Sequence, residues 1–194
     1  MKHWDLSITQ EHRGRLLHGM AQSVADKGYA ETTIADVVRE ASVSRRTFYE
    51  QFSDKAECFI ALYEAASHNV LQVLRDAIDP SHGWEEQLER ALGAYLGAMA
   101  SSPVLMRTLF TEILALGAQG LEARRRVNRE LAEFMLAVVN EGGAKRVSAQ
   151  LAMAVVGGIH ELVLQAIEEG RVAQLPALTG TAAELVKAVV HRAG

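Results

Sequence analysis

The sequence is poor in cysteine, proline and aromatic residues: one Cys, three Pro, and 6% Phe, Trp and Tyr together. A lone Cys58 cannot close an internal disulfide, which fits a reducing, cytoplasmic compartment. Few prolines beside plentiful Ala, Leu, Glu and Arg favour helix. No uninterrupted apolar run reaches the roughly 18 residues of a transmembrane helix, and no membrane partner is expected. The opening stretch, MKHWDLSITQEHRGR, is too polar for a signal peptide. No segment alternates as a strand, and there is no internal repeat or low-complexity tract.

Catalytic and metal-binding patterns are missing too. His3, His12, His18, His68, His82, His160 and His191 form no ligand-spaced cluster, and Cys58 has no Cys or His neighbour. There is no G-x-S-x-G and no P-loop. The glycine pairs at 142–143 and 157–158 lack the strand context of a nucleotide site. No metal, no cofactor and no enzymatic activity are expected. Positive charge is also not in excess: the formal net charge is -4 and the pI is near 6.0. A nucleic-acid site must therefore be a local patch.

What is present is helix-forming sequence that can bury a large core, at 49% hydrophobic residues over 194 positions. Apolar spacing, caps and breakers predict an all-α chain of about nine helices. The first covers 9–27, with Ser7 and Gln10 as a capping box, Leu17, Met20, Ala21 and Val24 on one buried face, and Gly28 as the stop. Helices at 34–41, 45–50 and 54–78 follow, then a loop at Pro80. Five more are predicted at 84–100, 104–116, 121–140, 148–169 and 181–192, with Ser102-Pro103 starting the second of these. Gly117, Gly120, Gly142-Gly143 and Gly170 punctuate them. Two domains are expected, 1–53 and 54–194.

The two short helices around Ser42-Val43 form a helix-turn-helix. Thr33 with Asp36 makes a capping box for the first, and Ser44 caps the second. Val38, Ala41, Val43, Phe48 and Phe52 would face one small core. Arg45, Arg46, Thr47 and Tyr49 are left outside. A capped helix of two turns with outward Arg-Arg-Thr and inward Phe suits insertion into a major groove. Arginine can pair two N–H donors with a guanine edge. Ser44 and Thr47 can bond phosphate or base edges, and Tyr49 and Lys55 can reach the DNA backbone. The expected DNA-facing set is Thr33, Ser44, Arg45, Arg46, Thr47, Tyr49 and Lys55. Taken alone, an exposed Arg pair would be an ordinary solvated face; the combination argues otherwise.

The stretch GYAETTIADVVREASVSRRTFYEQFSDKAECF, 28–59, resembles the TetR-type transcriptional regulators. The matching residues are Gly28-Tyr29, Thr32-Thr33, Ala41-Ser42-Val43-Ser44, Phe48-Tyr49, Phe52 and Lys55. Ser42 stands where glycine is common, Gln51 where His or Tyr is common, and Ala56 where Glu is frequent. The resemblance implies an N-terminal three-helix DNA-binding domain, a C-terminal helical ligand-binding bundle and a homodimer. A repressor released from a palindromic operator by a small-molecule effector is the expected function. An all-α binding protein or enzyme with an incidental helix-turn-helix is the alternative.

The C-terminal part carries fewer motifs. The helix at 148–169 is apolar nearly all round, and 179–192 exceeds what a lone surface helix needs, so both are expected at a dimer interface. A single thick monomeric core is the other reading. For an apolar effector pocket the candidates are Tyr63, Trp84, Tyr95, Met99, Met106, Phe110, Phe134 and Met153, which could equally be core. His160 could bond a ligand, satisfy a buried carbonyl, or lie at a dimer seam.

Overall fold

A computed structural model describes residues 6–79, 81–140 and 147–193. Among these it contains nine α-helices and no strand. The chain divides into two compact units, one of Met1–Ala66 with Thr108–Ala123, the other of Ser67–Arg107 with Arg124–Gly194. Two features differ from a single cut after residue 53: the first part of the fourth helix and a segment from mid-chain both join the N-terminal unit.

In the N-terminal unit, α1 (Leu6–Glu31) does not stop at Gly28. It kinks there, at φ 79 and ψ 165, and resumes for three more residues. Glycine reaches this backbone conformation without a Cβ penalty. Ser7 lies inside the helix rather than before it, and its side chain falls outside the described residues. The buried face is Leu16, Met20, Ser23 and Val24, while Leu17 and Ala21 are half-buried. Gly19 explains that rotation. A Cβ there would lie 2.6 Å from the Val37 carbonyl oxygen and 2.9 Å from the Ala41 nitrogen. The face carrying Gly19 is therefore the one that can meet the next helix.

That helix, α2 (Ile34–Ala41), has the expected boundaries and cap. Asp36 N–H donates to the Thr33 hydroxyl at 3.2 Å, and Thr33 N–H donates to Asp36 Oδ2 at 2.9 Å. Lys27 Nζ at 2.6 Å and Arg39 Nη2 at 2.9 Å also donate to the Asp36 carboxylate. The Lys27 and Thr33 bonds hold its carboxyl well below the usual 3.8. A depressed folded-state pKa contributes stability that is complete above the unfolded value and lost as pH falls below it. Acid titration from pH 5 downward should therefore destabilise the wild-type N-terminal unit more than an Asp36→Asn variant, read as the slope of melting temperature against pH. Equal slopes would remove Asp36 from the account.

In the C-terminal unit, α5 is Trp84–Ala100, α8 is Ala149–Glu168 and α9 is Thr179–Ala193, the last preceded by a 3-10 segment, Val172–Leu178. Lys187 on α9 donates to Glu89 at 2.7 Å and pairs with Glu85 at 3.2 Å on α5. Ser148 caps α8, accepting from Leu151 N–H at 3.3 Å. By length and composition α8 would also suit a membrane, but eight of its residues, Val155 and Val163 among them, are buried within the protein.

Two helices have residues in both units: α4 (Lys55–Asp76) and α7 (Ala118–Val139). Between α5 and α7, α6 (Pro103–Glu112) ends four residues early in a 3-10 turn, Ile113–Leu116, closed by Gly117 at φ 61. Gly120 is no breaker: it lies inside α7, where a Cβ would meet the Ile113 carbonyl oxygen. Close backbone approach, not helix termination, requires glycine there.

Candidate nucleic-acid interface and ligand cavity

The helix α3 (Arg45–Gln51) has seven residues, too short to stand alone. Three local features hold it. Ser44 Oγ accepts from Thr47 N–H at 3.0 Å, and the two hydroxyls share a 2.8 Å hydrogen bond. Phe48 is fully buried against Phe52, with ring centroids 5.8 Å apart. Ser42 makes the turn in the left-handed region, at φ 51 and ψ 45, as a position favoured by glycine would.

Two residues that sequence spacing does not reveal complete the support. Arg15 on α1 donates from Nε to the Ala41 carbonyl at 2.9 Å and from Nη2 to the Ser42 carbonyl at 2.6 Å. A cation there caps the C-terminal end of α2, where carbonyls lack partners. Arg13 sits over the Phe52 ring, 4.6 Å from its centroid. Both act across more than 25 residues of sequence, beyond any local pattern.

With Phe48 inward, Arg45, Arg46 and Tyr49 face solvent. Tyr49 is 50% exposed despite being aromatic. Arg45 lies near Tyr49, its guanidinium 5.8 Å from the ring centroid. Arg46 Nε donates to Glu50 Oε1 at 3.0 Å, one turn along. Thr47 is half-buried, tied to Ser44. Thr33 is spent on its capping box and stands outside this cluster in sequence.

Lys55 has a task that the sequence did not indicate. Its ammonium donates to the carbonyls of Tyr29 and Thr32, both at 2.8 Å, and approaches Ala30 at 3.4 Å. It also lies 4.1 Å from the Tyr29 ring centroid. A DNA phosphate would have to displace one of those bonds. Nearby, Tyr29 N–H donates to the Glu112 carboxylate, so both polar groups of that backbone unit are held. The expected result for Lys55→Ala is a lower melting temperature of the N-terminal unit, by an amount matching about 1–3 kcal/mol for unsatisfied carbonyls. The slope of DNA affinity against salt should change little; a slope reduced by about one unit would restore Lys55 as a phosphate contact.

In the C-terminal unit a partly open space of about 90 Å³ lies among residues of α4, α5, α7, α8 and α9 and the segment after α4. Its sixteen lining residues include Leu74, Leu92, Leu131, Phe134, Val155 and Val186. Fourteen carry no oxygen or nitrogen in the side chain; Tyr95 and His160 are the two that do. Tyr95 Oη and His160 Nε2 are 2.9 Å apart. Both residues are 5% exposed. Burial, with help from the Arg124 charge, pushes the His160 imidazole down to about 4, so it is neutral at pH 7.

Of the residues expected to meet an effector, Tyr95, Phe134 and His160 line this cavity. Met99 and Tyr63 do not; they are buried core residues, the latter in the N-terminal unit. Trp84 is 37% exposed and stacks edge-on against His191. Phe110 belongs to the N-terminal unit and is half-buried. Met106 is buried away from the cavity, and Met153 is exposed on α8. The wall is mostly Leu, Ile and Val, which sequence alone cannot separate from core. Cys58 is buried, and desolvation pushes its thiol up to about 12, which suits an inert packing residue.

The sequence model of the bacterial regulatory proteins, tetR family, matches residues 16–62, the segment that builds α1 to α3 and opens α4. Over that segment the chain is similar to tetR-family regulators. Curated relatives include the HTH-type transcriptional activator FasR of Mycolicibacterium smegmatis, 27% identical over 85 residues, or 44% of this chain. The Fatty acid metabolism regulator protein of Bacillus subtilis is 20% identical over 189 residues, covering 91% of this chain and 94% of its own length. By contrast, the chain spans only 20% and 39% of the length of the two curated relatives matched at 27% identity. Among solved structures, the transcriptional regulator FadR from Bacillus subtilis in complex with stearoyl-CoA superposes with a TM-score of 0.76 at 16% identity, over 89% of this chain and 96% of that one. At such identity the likeness establishes the fold alone, along most of the chain.

Proposed function

We propose that this chain is a ligand-responsive, DNA-binding transcriptional regulator: a homodimeric repressor that leaves a palindromic operator when an apolar small molecule enters the C-terminal unit. The observation that carries the DNA half is the exposed Arg45, Arg46 and Tyr49 on a helix whose Ser44 cap and Phe48 anchor leave them outward. Similarity to the tetR-family model over residues 16–62 supports that reading of the geometry. Two copies of α3, about 34–36 Å apart, would enter successive major-groove turns of one duplex face. Arg46, and with it Arg45, reads base edges; Ser44, Thr47 and Tyr49 contact the backbone.

Dimerisation is read from α8 and α9. Leu151 and Met153 are exposed on α8, and Leu162, Leu185 and Val189 are only half-buried. This apolar outer surface suits a two-fold four-helix contact. The effector half rests on the cavity wall, which excludes a strongly polar occupant. An effector with a long hydrocarbon portion agrees with a relative named for fatty acid metabolism and with a structural neighbour holding stearoyl-CoA. The space of about 90 Å³ is too small for such a chain, so entry requires the wall to move. That requirement supplies the differential affinity on which any allosteric coupling depends. The regulator works in the cytoplasm, where operator and metabolite meet.

Selection of duplexes from a random library by the purified chain tests the DNA half. Enrichment of a palindrome with half-sites one or two helical turns apart supports it. Recovery of unenriched DNA after repeated rounds overturns it.

A further inference from the structure

We propose that an amphiphile with one polar end enters the cavity of the C-terminal unit tail first past Ile78, and that its polar end stays in a surface cleft beside Asp76, Asp79 and Arg90. The inference deepens the functional reading above and rests on its claim that the cavity takes an effector.

Ile78 belongs to two walls. It lines the apolar space of about 90 Å³. It also lines a surface cleft of about 570 Å³, together with Asp76, Ala77, Asp79, Arg90 and Ala94. One side chain therefore stands between hydrocarbon wall and water. Of the sixteen residues that line the cavity, Ile78 is the one outside a helix. The helix α4 ends at Asp76, and Ile78 N–H is held by a turn bond to the Arg75 carbonyl at 3.1 Å. Moving any other wall segment strains a helical ladder, whereas moving Ile78 strains one turn. A second route is closed more firmly. Phe134 lines both the cavity and another cleft, of about 560 Å³, beside Arg75, Glu130 and Glu133. It stands inside α7, and the Arg75 guanidinium lies 5.8 Å from its ring centroid. Opening there must turn a helical aromatic out of its place and away from a cation.

The orientation follows from the two surfaces that Ile78 separates. The cavity wall is nearly all hydrocarbon, and its two polar side chains, Tyr95 and His160, are bonded to each other at 2.9 Å. A polar end carried inside would lose its water without replacement, which is costly. In the cleft it keeps that water. Asp76 and Arg90 are exposed there. With two carboxylates and one guanidinium, the cleft selects for polarity rather than for one sign of charge. The same wall limits the ligand to one polar end, because a second at the tip of the tail would be buried against hydrocarbon.

The test uses the full chain and cis-parinarate, a fatty acid whose fluorescence rises when its tail leaves water. Stopped-flow mixing gives association and dissociation rate constants for wild type, Ile78→Ala, Ile78→Phe and Phe134→Leu. Thermal melts verify folding; if one Ile78 variant fails to fold, the other decides. Ile78→Ala should raise both rate constants about tenfold and Ile78→Phe should lower both about tenfold, so that affinity changes less than either rate. Phe134→Leu should leave the association rate within about twofold of wild type. In competition with parinarate, dodecane-1,12-diol should bind wild type at least about tenfold more weakly than dodecan-1-ol. Association rates unchanged by Ile78 substitution, or raised as much by Phe134→Leu as by Ile78→Ala, would overturn the route. A diol that binds as tightly as dodecan-1-ol would overturn the orientation. Both results leave the cavity reading intact. Failure of parinarate and dodecan-1-ol to bind wild type would instead refute the cavity reading, and this inference with it.

Discussion

Phe48→Ala is expected to cost the N-terminal unit about 3–5 kcal/mol and to abolish operator binding at ordinary concentrations. Phe48 is fully buried and packs on Phe52, and it meets Tyr49 edge-on with centroids 5.5 Å apart. The loss exceeds the transfer term because α1 and α2 cannot close over the hole. Gly19 already brings their backbones into contact, leaving no slack in that direction. A seven-residue helix has no independent stability to retain its shape once this anchor is gone. Hydrogen exchange reads the effect by region. Amides of α1 to α3 should exchange much faster, while those of α8 and α9 keep their protection. Unchanged protection in α2 and α3 would show that Phe48 is not the anchor.

Arg46→Ala should do the opposite: leave the fold alone and weaken DNA binding. Its side chain is 89% exposed and its one close partner is Glu50. A surface ion pair of this kind is worth about 0–1 kcal/mol, whereas a bidentate arginine–guanine contact is worth about 1–3 kcal/mol. In the proposed complex Arg46 would exchange Glu50 for a base edge, and losing it should reduce operator affinity by roughly 5- to 150-fold. Affinity for scrambled duplex should change much less if, as proposed, Arg46 pairs with a base rather than a phosphate. A gel-shift titration at fixed salt showing equal losses on operator and scrambled DNA would reassign Arg46 to backbone contact. No loss on either would remove it from the interface.

The helix-turn-helix was legible because its signals are local. Thr33 and Asp36, Ser44 and Thr47, and the inward Phe48 all lie within one or two turns of each other, and the structure keeps each in its expected place. The longer-range parts were not. Whether the first helix turned Leu16 or Leu17 inward depended on Gly19 meeting α2, a fact about a second element. Lys55 stands at a helix start where it can point to DNA or back to the carbonyls of Tyr29 and Thr32, and spacing does not choose between them. Arg15 reaches α2 across 26 residues. The cavity was harder still. Tyr95, Phe134 and His160 were visible as large or polar groups on apolar helices, but aliphatic wall residues such as Leu92 and Val155 look like any core. Only the placement of five helices shows which of them face an empty space.

The proposed function requires that the cavity and the recognition helix be coupled. Fluorescence anisotropy of a labelled operator, with the protein held near its dissociation constant, measures that coupling directly as a hydrocarbon-bearing ligand such as stearoyl-CoA is added. Coupling should raise the apparent dissociation constant by about 5- to 150-fold at saturation, the range of a coupling free energy of about 1–3 kcal/mol. By reciprocity, added operator should weaken ligand binding by the same factor. An operator affinity that stays constant while the ligand demonstrably fills the cavity would contradict it.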